Sequence, residues 1–442
     1  MYGIFIVFFL LLSLKPLFPG NIFLQLTPFL VLVIGVIRFM FFRKGRIYMP
    51  IIRNNFSIYT YLIFIALFII SIVRTNTYDK SMVEIAGDIL TVILLNILVY
   101  TAVSYQFRIE SSFNKNFNKI TYDIFIPPAI AIFAILIFYI YGYIFLNNAQ
   151  YSRGSSVLLN AIGVSFERID IPFGQGIHPN TYNTNAGIIF TVSLVSLLIV
   201  DLRRKLKLIL LASLISCFFF ILLADSRTVF FNSVGSVLII YLLLKLNKLQ
   251  SLKALVIIIP FLSQIFIFFL LSVSDAEILE TISRGDNDLE SGNSRAIIWT
   301  YCNVEVMDPK PKHFVGYGES GHSGAGVSKK YAFIFGDRYD NDNIITHNSM
   351  YQTFFDIGYV GIIIYLIVLY NLIADAIFLY KKGYKIVIIF AACFVYYNLS
   401  GITGSYFGYY NKMYFNLFMI FTLTLFLFKN EYLKHTTSLN RN

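Results

Sequence analysis

Three ionisable residues lie where hydrophobic runs of this chain meet polar segments, and their types suit one reaction. Arg227 occupies a short turn, Arg295 lies in a long polar segment, and His347 ends that segment. Placing a charged side chain at membrane depth costs free energy, so charged residues there are candidates for a functional role. Arginine presents a fork of donors that matches phosphate oxygens, and histidine, with an ordinary pKa near 6.5, accepts protons at neutral pH. We expect the arginines to hold the diphosphate of a lipid-linked donor while His347 activates an acceptor hydroxyl.

Structural explanations for the same residues stay open. An arginine at a helix end is often a headgroup anchor, one in a polar loop is often solvated, and a histidine at a helix start often caps it. Tyr351 follows His347 by one helical turn and would contact the acceptor sugar or simply pack. Asn348 is a second binding candidate, and either it or Ser349 could cap the next helix. Arg168, in an earlier polar loop, would bind an anionic glycan or be solvated.

The composition indicates an all-α polytopic membrane protein. Of 442 residues, 57% are hydrophobic and only 13% are charged, with a mean hydropathy of +0.70. Soluble proteins carry about twice that charge. The net charge of +11 lies mainly in short loops between apolar runs, which favours membrane topology over nucleic-acid binding as its cause. Three scattered cysteines form neither a disulfide framework nor a metal-binding spacing, and no cofactor is expected.

About twelve apolar runs are long enough, or nearly so, to cross a bilayer. They lie near 2–15, 21–42, 56–73, 86–106, 122–146, 181–200, 207–224, 228–245, 254–273, 351–374, 385–401 and 411–428. Lysine and arginine cluster in every second loop, so both termini are predicted to be cytoplasmic in the inner membrane. The opposite, periplasmic side then receives the two longest loops.

The predicted organisation has three parts. Residues 1–273 form a membrane domain of about nine helices with an outer loop at 147–180, residues 274–348 form one large periplasmic loop between helices 9 and 10, and residues 349–442 form the last helices and a cytoplasmic tail. The large loop holds 12 of the 24 acidic residues and 7 of the 35 basic ones. Its net charge is therefore −5, against +16 for the rest of the chain, as expected of a segment on the non-cytoplasmic side.

Several motifs occur in a fixed order along the second half of the chain. They are His178-Pro179-Asn180, Asp225-Ser226-Arg227-Thr228, Arg295 with Trp299, Pro311 with Gly316 and Gly318, and His347-Asn348 followed by Asp356 and Gly358. Their order and predicted sidedness resemble the O-antigen polymerase and O-antigen ligase superfamily. The resemblance covers roughly residues 174–361. Asp356 stands where glutamate is common, and whether it orients His347 or merely packs is open.

The resemblance implies inverting, metal-independent transfer of a glycan from an undecaprenyl-diphosphate carrier at the outer face of the inner membrane. Carried over by motif, Arg227 and Arg295 would bind the diphosphate and His347 would act on the acceptor hydroxyl. Polymerisation of lipid-linked repeat units into O-antigen or capsule is favoured, with a chain-length regulator protein as a candidate partner. A ligase acting on lipid A core is the alternative within the family. A flippase is the rival class, but it would carry charges in mid-helix.

Overall fold

A computed structural model describes most of the chain, and every structural statement below refers to that part. The described residues are 2–15, 22–41, 55–76, 80–110, 112–145, 152–155, 167–169, 180–224, 226–262, 288–333, 344–405 and 412–439. They are almost entirely helical, which confirms the predicted all-α multi-pass membrane architecture. Two short strands, β1 (Ser152–Ser155) and β2 (Glu167–Ile169), pair antiparallel within the predicted loop 147–180.

The helices follow the predicted apolar runs. In chain order they are α1 Tyr2–Leu14, α2 Ile22–Phe41, α3 Phe56–Val73, α4 Met82–Ile109, α5 Phe113–Phe145, α6 Asn180–Ile199, α7 Arg204–Leu223, α8 Arg227–Lys245, α9 Leu252–Ile258, α10 Asp288–Met307, α11 Gly321–Gly324, α12 Val327–Tyr331, α13 Ser349–Lys381, α14 Ile388–Thr403 and α15 Lys412–Leu439. Among the described residues, nine helices are long and apolar enough to span a membrane. Three shorter apolar helices, at Tyr2–Leu14, Leu26–Met40 and Leu249–Phe261, fall on the other predicted runs, and the count of twelve stays a prediction.

Local chemistry fixes where several of these helices begin. Asn55 caps α3 by accepting from the Ser57 amide, and Ser81 with Glu84 forms a reciprocal capping box at the start of α4. Helices α14 and α15 are the most enclosed of the spans, whereas α4, α7 and α8 leave most of their surface outside the core. The centre of the bundle is therefore α14 and α15, and the end of α14 reappears below as part of the site.

Helix α13 is broken at Gly358, and the polar segment before it fills the break. Gly358 has φ 71° and ψ −172°, a backbone conformation that only glycine adopts readily. The carbonyls of Phe355 and Asp356 accept hydrogen bonds from the amides of Tyr317 (2.7 Å) and Gly318 (3.1 Å). A kinked helix near a membrane needs substitute donors for its unpaired carbonyls, and the loop supplies them. We call the side of the bundle where this occurs the loop side.

The same glycine-rich segment is tied to helix α3. Arg74 Nη2 donates to the carbonyl of Gly316 at 2.7 Å, and the Glu319 amide donates to the carbonyl of Ser71 at 2.8 Å. The Asn76 amide returns a bond to the Glu319 carbonyl at 2.8 Å. The segment from Gly316 to Glu319 therefore lies between the loop-side end of α3 and the break in α13, with backbone bonds to both.

Glycine is required where these backbones meet. A Cβ added at Gly358 would lie 2.5 Å from Gly316 N and 2.5 Å from Phe314 O, and one added at Gly316 would lie 2.5 Å from the Asp356 carbonyl. Gly316 also has φ +73°. The Gly-x-Gly and Asp-x-Gly motifs are thus two halves of one close backbone contact, because neither backbone leaves room for a side chain.

We expect Gly358→Ala to destabilise the protein far more than Gly326→Ala. Gly326 also has a positive φ (+71°), but nothing lies within 4 Å of an added Cβ there, so alanine meets only backbone strain of about 1–2 kcal/mol. Gly358→Ala adds the collision with Gly316, a further cost of about 1–3 kcal/mol. Thermal unfolding of the purified variants in detergent measures the difference. Equal melting temperatures for the two variants would contradict the backbone contact described here.

Candidate functional site

His347 lies in a strained turn immediately before α13. Its φ is +50°, in the left-handed region that non-glycine residues rarely occupy, and its side chain is half-buried. The two flanking residues, Thr346 and Asn348, are both fully buried. Such strain persists only when the surroundings fix the backbone, and it is concentrated at functional sites.

The surroundings that fix this turn come from the end of α14. Ser405 Oγ accepts from the Asn348 amide at 3.1 Å and bonds the Thr346 hydroxyl at 3.1 Å. Asn348 Nδ2 donates to the carbonyl of Ile402 at 2.9 Å, and Ser349 Oγ donates to that of Gly404 at 2.8 Å. Four hydrogen bonds therefore hold the residues on both sides of His347 to a segment that lies about 55 residues further along the chain.

Asn348 and Tyr351 are engaged in positioning this turn. Asn348, and not Ser349, caps α13, because its Oδ1 accepts from the amides of Met350 (2.9 Å) and Tyr351 (3.1 Å). Tyr351 is buried, and its hydroxyl donates to Asn303 Oδ1 on α10 at 2.6 Å. Their contribution to substrate binding stays a prediction, and the contacts give both a structural task.

Helix α10 brings Arg295 to the same place. Trp299 is fully buried, and its indole Nε1 donates to the carbonyl of Thr346 at 3.0 Å. Arg295 precedes Trp299 by one helical turn, so the two lie on the same face of α10. Arg295 is half-buried and lies one helical turn before Trp299. Trp299 in turn contacts Thr346, the residue before His347. This contact explains the Arg-x-x-x-Trp spacing physically.

Arg227 lies at the start of α8, which packs on α14. It is the first residue of α8, and five residues later Asn232 Nδ2 donates to Ser400 Oγ of α14 at 3.4 Å. Five residues of helix rise about 7.5 Å, which places Arg227 near the level at which α14 ends. Arg168 lies in β2, away from these helices in sequence, and its side chain is outside the described part.

Asp356 acts on the His347 turn through an intermediary. Its Oδ1 accepts from the Gly321 amide at 2.9 Å and from Gln352 Nε2 at 2.8 Å. Gln352 Oε1 in turn accepts from the Thr346 hydroxyl at 3.4 Å. The buried carboxyl group of Asp356 therefore connects the loop segment 316–321 to the residue before His347 through Gln352.

Sequence reasoning missed Ser405, Gln352 and Thr346 as site residues. A usable signal existed: Asn398, Ser400, Gly401 and Ser405 interrupt the hydrophobic run of α14, and small or polar residues in a buried membrane helix often mark contacts. Gly401 faces Ser349, whose Oγ would lie 3.2 Å from an added Cβ. The polar interruption of this run indicates a contact with another element, which the structure identifies as the His347 turn.

A second cluster stabilises the polar segment itself. Glu305 is 2% exposed and binds the ammonium groups of Lys310 and Lys330, the latter at 2.7 Å. Burial acts to raise the pKa of Glu305, but the hydrogen bonds from both lysines hold that pKa below its ordinary value. His313 is buried 3.5 Å from Glu305 among Tyr317, Phe354 and Tyr359, and this burial lowers the His313 pKa. Neutral His313 and ionised Glu305 therefore coexist near pH 7.

No group of three or more His, Cys, Asp or Glu side chains in the described ranges could hold a metal ion. The arrangement available at the loop side is thus two arginines on separate helices and a histidine on a rigid turn. Such a set can bind a polyanion and take up a proton.

Comparison with known proteins agrees with the motifs. The family model described as O-antigen ligase matches residues 212–366, about a third of the chain. The matched segment includes Arg227, Arg295, Trp299 and His347, and it confirms the superfamily predicted from the sequence. No curated relative matches the chain. The protein is therefore a multi-pass membrane protein in which residues 212–366 are similar to the O-antigen ligase family.

We expect acidification to loosen the segment around Glu305. The folded-state pKa of His313 is lowered, so the unfolded chain takes up more protons and stability falls as the pH drops below about 6.5. The folded pKa of Glu305 is also lowered, so its contribution is lost as the pH falls further through the carboxylate range. Hydrogen–deuterium exchange of residues 305–331 at pH 7.5, pH 5 and pH 3.5, corrected for intrinsic rates, measures both parts of this change.

His313→Gln separates the two groups, because glutamine cannot take up the proton. The variant should lose the part of the change that occurs between pH 7.5 and pH 5 and keep the part that occurs between pH 5 and pH 3.5. Identical protection at pH 7.5 and pH 5 in the wild-type protein would contradict the assignment of charges in this cluster.

Proposed function

We propose that this protein polymerises undecaprenyl-diphosphate-linked oligosaccharide repeat units at the periplasmic face of the inner membrane. The observation that carries the proposal is the set of contacts that joins three separate helices at His347. Trp299 of α10 binds Thr346, Ser405 beyond α14 binds both flanks of His347, and α8, which begins at Arg227, packs on α14. These contacts support the proposal that Arg227 and Arg295, which chemistry and motif order selected, act together with His347.

In the proposed mechanism His347 is the general base. The hydroxyl oxygen of the acceptor sugar attacks the anomeric carbon of the donor glycan, and His347 takes the hydroxyl proton as the new glycosidic bond forms. The bond from that carbon to the carrier diphosphate breaks, so the diphosphate leaves with the electron pair. Attack from the face opposite the leaving group inverts the anomeric centre.

Arg227 and Arg295 are proposed to bind the diphosphate. Negative charge grows on the leaving oxygen in the transition state, and fixed guanidinium donors stabilise it most there. Arginine also binds two phosphate oxygens at once, whereas lysine acts as a point charge. In this proposal the guanidinium groups of the two arginines stabilise the negative charge of the leaving diphosphate.

The family description favours a second candidate, a ligase. A ligase uses the same lipid diphosphate donor but transfers the finished glycan to lipid A core or another acceptor. The His347 turn and the arginines would serve either reaction, because the donor chemistry is shared. The identity of the acceptor is the difference, and the phenotype of a deletion distinguishes the two.

We expect His347→Ala to lower glycan transfer by about 10²–10⁴-fold, the usual contribution of a positioned base. Glycan length on gels, in a deletion strain complemented with wild type, His347→Ala or the remote His435→Ala, is the measurement. Wild type and His435→Ala should restore the ladder, and His347→Ala should leave single repeat units on the core. Membrane levels of each variant must be equal.

The alternatives give different patterns. Loss of all attached glycan in the deletion strain, with long carrier-linked chains accumulating, would indicate the ligase. A normal ladder from His347→Ala would remove the proposed base altogether.

A second prediction concerns the arginines. Arg295→Lys keeps the charge but loses the fork of donors, so transfer should fall about tenfold or more while the protein still reaches the membrane. Lys312→Arg on the exposed surface of the same segment is the matched exchange in the opposite direction and should leave transfer unchanged. Transfer rates measured with purified protein and lipid-linked donor decide the matter. Full activity of Arg295→Lys would mean that Arg295 does not bind phosphate bidentately.

A further inference from the structure

A cavity of about 610 Å³ lies between the loop-side ends of α1, α2, α4 and α15, apart from the His347 turn. Its lining is of two kinds. Apolar side chains from three helices form its walls, among them Leu12, Phe29 and Leu90, and charged side chains form one end, with Lys15, Asp88 and Lys412. The pocket therefore combines a hydrophobic groove with an ionic end at the membrane boundary.

The ionic end holds three lysines with carboxylates near them. Lys412 Nζ binds both Asp88 oxygens at 2.7 and 3.0 Å, and Lys80 Nζ lies 2.9 Å from Asp88 and 2.5 Å from Glu319. Half-buried Lys15 makes no ion pair or hydrogen bond with any residue that the structure describes, and the charges of Asp88 and Glu84 act on it at longer range.

Glu84 also lines the cavity, but it is not among the carboxylates that pair directly with these lysines in the described residues. It is exposed to solvent, and its Oε2 accepts from the amide and hydroxyl of Ser81 in the capping box. A carboxylate at a solvated rim is screened, so it compensates a half-buried ammonium weakly.

Asn416 gives an independent indication of a missing polar partner. Its side chain lines the cavity and is 1% exposed, and its Oδ1 has no hydrogen-bond partner among the residues that the structure describes. Buried polar groups are nearly always paired. The two ends of an amide are assigned from surroundings, so the same atom position would also serve as an N–H donor to an anion.

The groove itself opens to the protein surface between apolar side chains. Leu26 of α2 and Val83 of α4 line it and are 48% and 71% exposed. Gly87 also lines it, and nothing lies within 4 Å of a Cβ added there. An occupant must therefore be apolar along its length and anionic at one end.

We propose that this cavity binds an anionic phospholipid, with the phosphate between Lys15, Lys412 and Asn416 and an acyl chain along Leu26, Phe29 and Leu90. The anionic phosphate complements the ammonium groups of Lys15 and Lys412, and the acyl chain complements the apolar walls of the cavity. A free phosphate would leave the apolar groove empty. This inference does not depend on glycan transfer.

Binding here would also reach the glycine-rich segment. Lys80 binds Asp88 in the cavity wall and Glu319 beside Gly318, and burial alone would lower its pKa, but the two carboxylates raise it above the ordinary value. Lys80 is therefore charged, and it links the lipid site to the segment that fills the break in α13.

The experiment measures lipid retention by the full-length protein. Purified protein in detergent is titrated with phosphatidylglycerol or, separately, phosphatidylcholine, and bound lipid is counted by native mass spectrometry. Wild type should retain phosphatidylglycerol in preference. Lys15→Met should weaken it about fivefold, the size of one lysine-to-phosphate attraction at a membrane surface. Lys15 has no ion-pair partner to lose, so folding should survive.

Two further variants make the result specific. Gly87→Leu fills the cavity without altering a charge and should also lose the lipid, whereas Lys312→Met removes an exposed loop-side charge elsewhere and should retain it. Equal retention of phosphatidylglycerol by wild type, Lys15→Met and Gly87→Leu would overturn the proposal. Equal retention of phosphatidylcholine by wild type would overturn it too, as would selective binding of a polyprenyl diphosphate.

Discussion

The break of α13 at Gly358 is the constraint on which the rest of the loop side depends. A helix in a membrane cannot leave carbonyls unpaired, because each unsatisfied group there costs several kcal/mol. The carbonyls of Phe355 and Asp356 obtain their donors from Tyr317 and Gly318, so the polar segment is part of the helix's hydrogen bonding. Once that segment is fixed, α10 is fixed with it, because the Glu305 cluster and the Tyr359 contact to the Val306 carbonyl join the two.

Hydrogen bonds from neighbouring elements also hold His347 in its strained backbone conformation. A left-handed residue costs about 1–3 kcal/mol, and this cost must be met by its neighbours. Thr346 and Asn348 are held by Ser405, by Ile402 and by the indole of Trp299, so the turn has no simpler conformation that preserves those bonds. A base held rigidly in this way need not reorganise when the acceptor binds, which is the property that the proposed reaction requires.

The sequence predicted the spans well, because the need to satisfy backbone groups in lipid leaves few alternatives to a helix. It also selected Arg227, Arg295 and His347, since charge and motif order are local information. It did not predict the contribution of Ser405, because that residue meets His347's flanks only through a fold that brings together segments about 55 residues apart. The pairing of β1 with β2 was missed as well, since short strands in a polar loop have no clear period.

The acidic character of the polar segment raises a last question, since a net charge of −5 should repel a diphosphate. Part of the explanation is that the buried carboxylates among the segment's described residues are paired with lysine side chains. Glu305 binds Lys310 and Lys330, and Glu319 binds Lys80. A paired charge acts at short range, and salt screens exposed charges beyond about 8–10 Å. The negative sign of the segment as a whole therefore does not argue against the proposed binding of an anionic donor at Arg227 and Arg295.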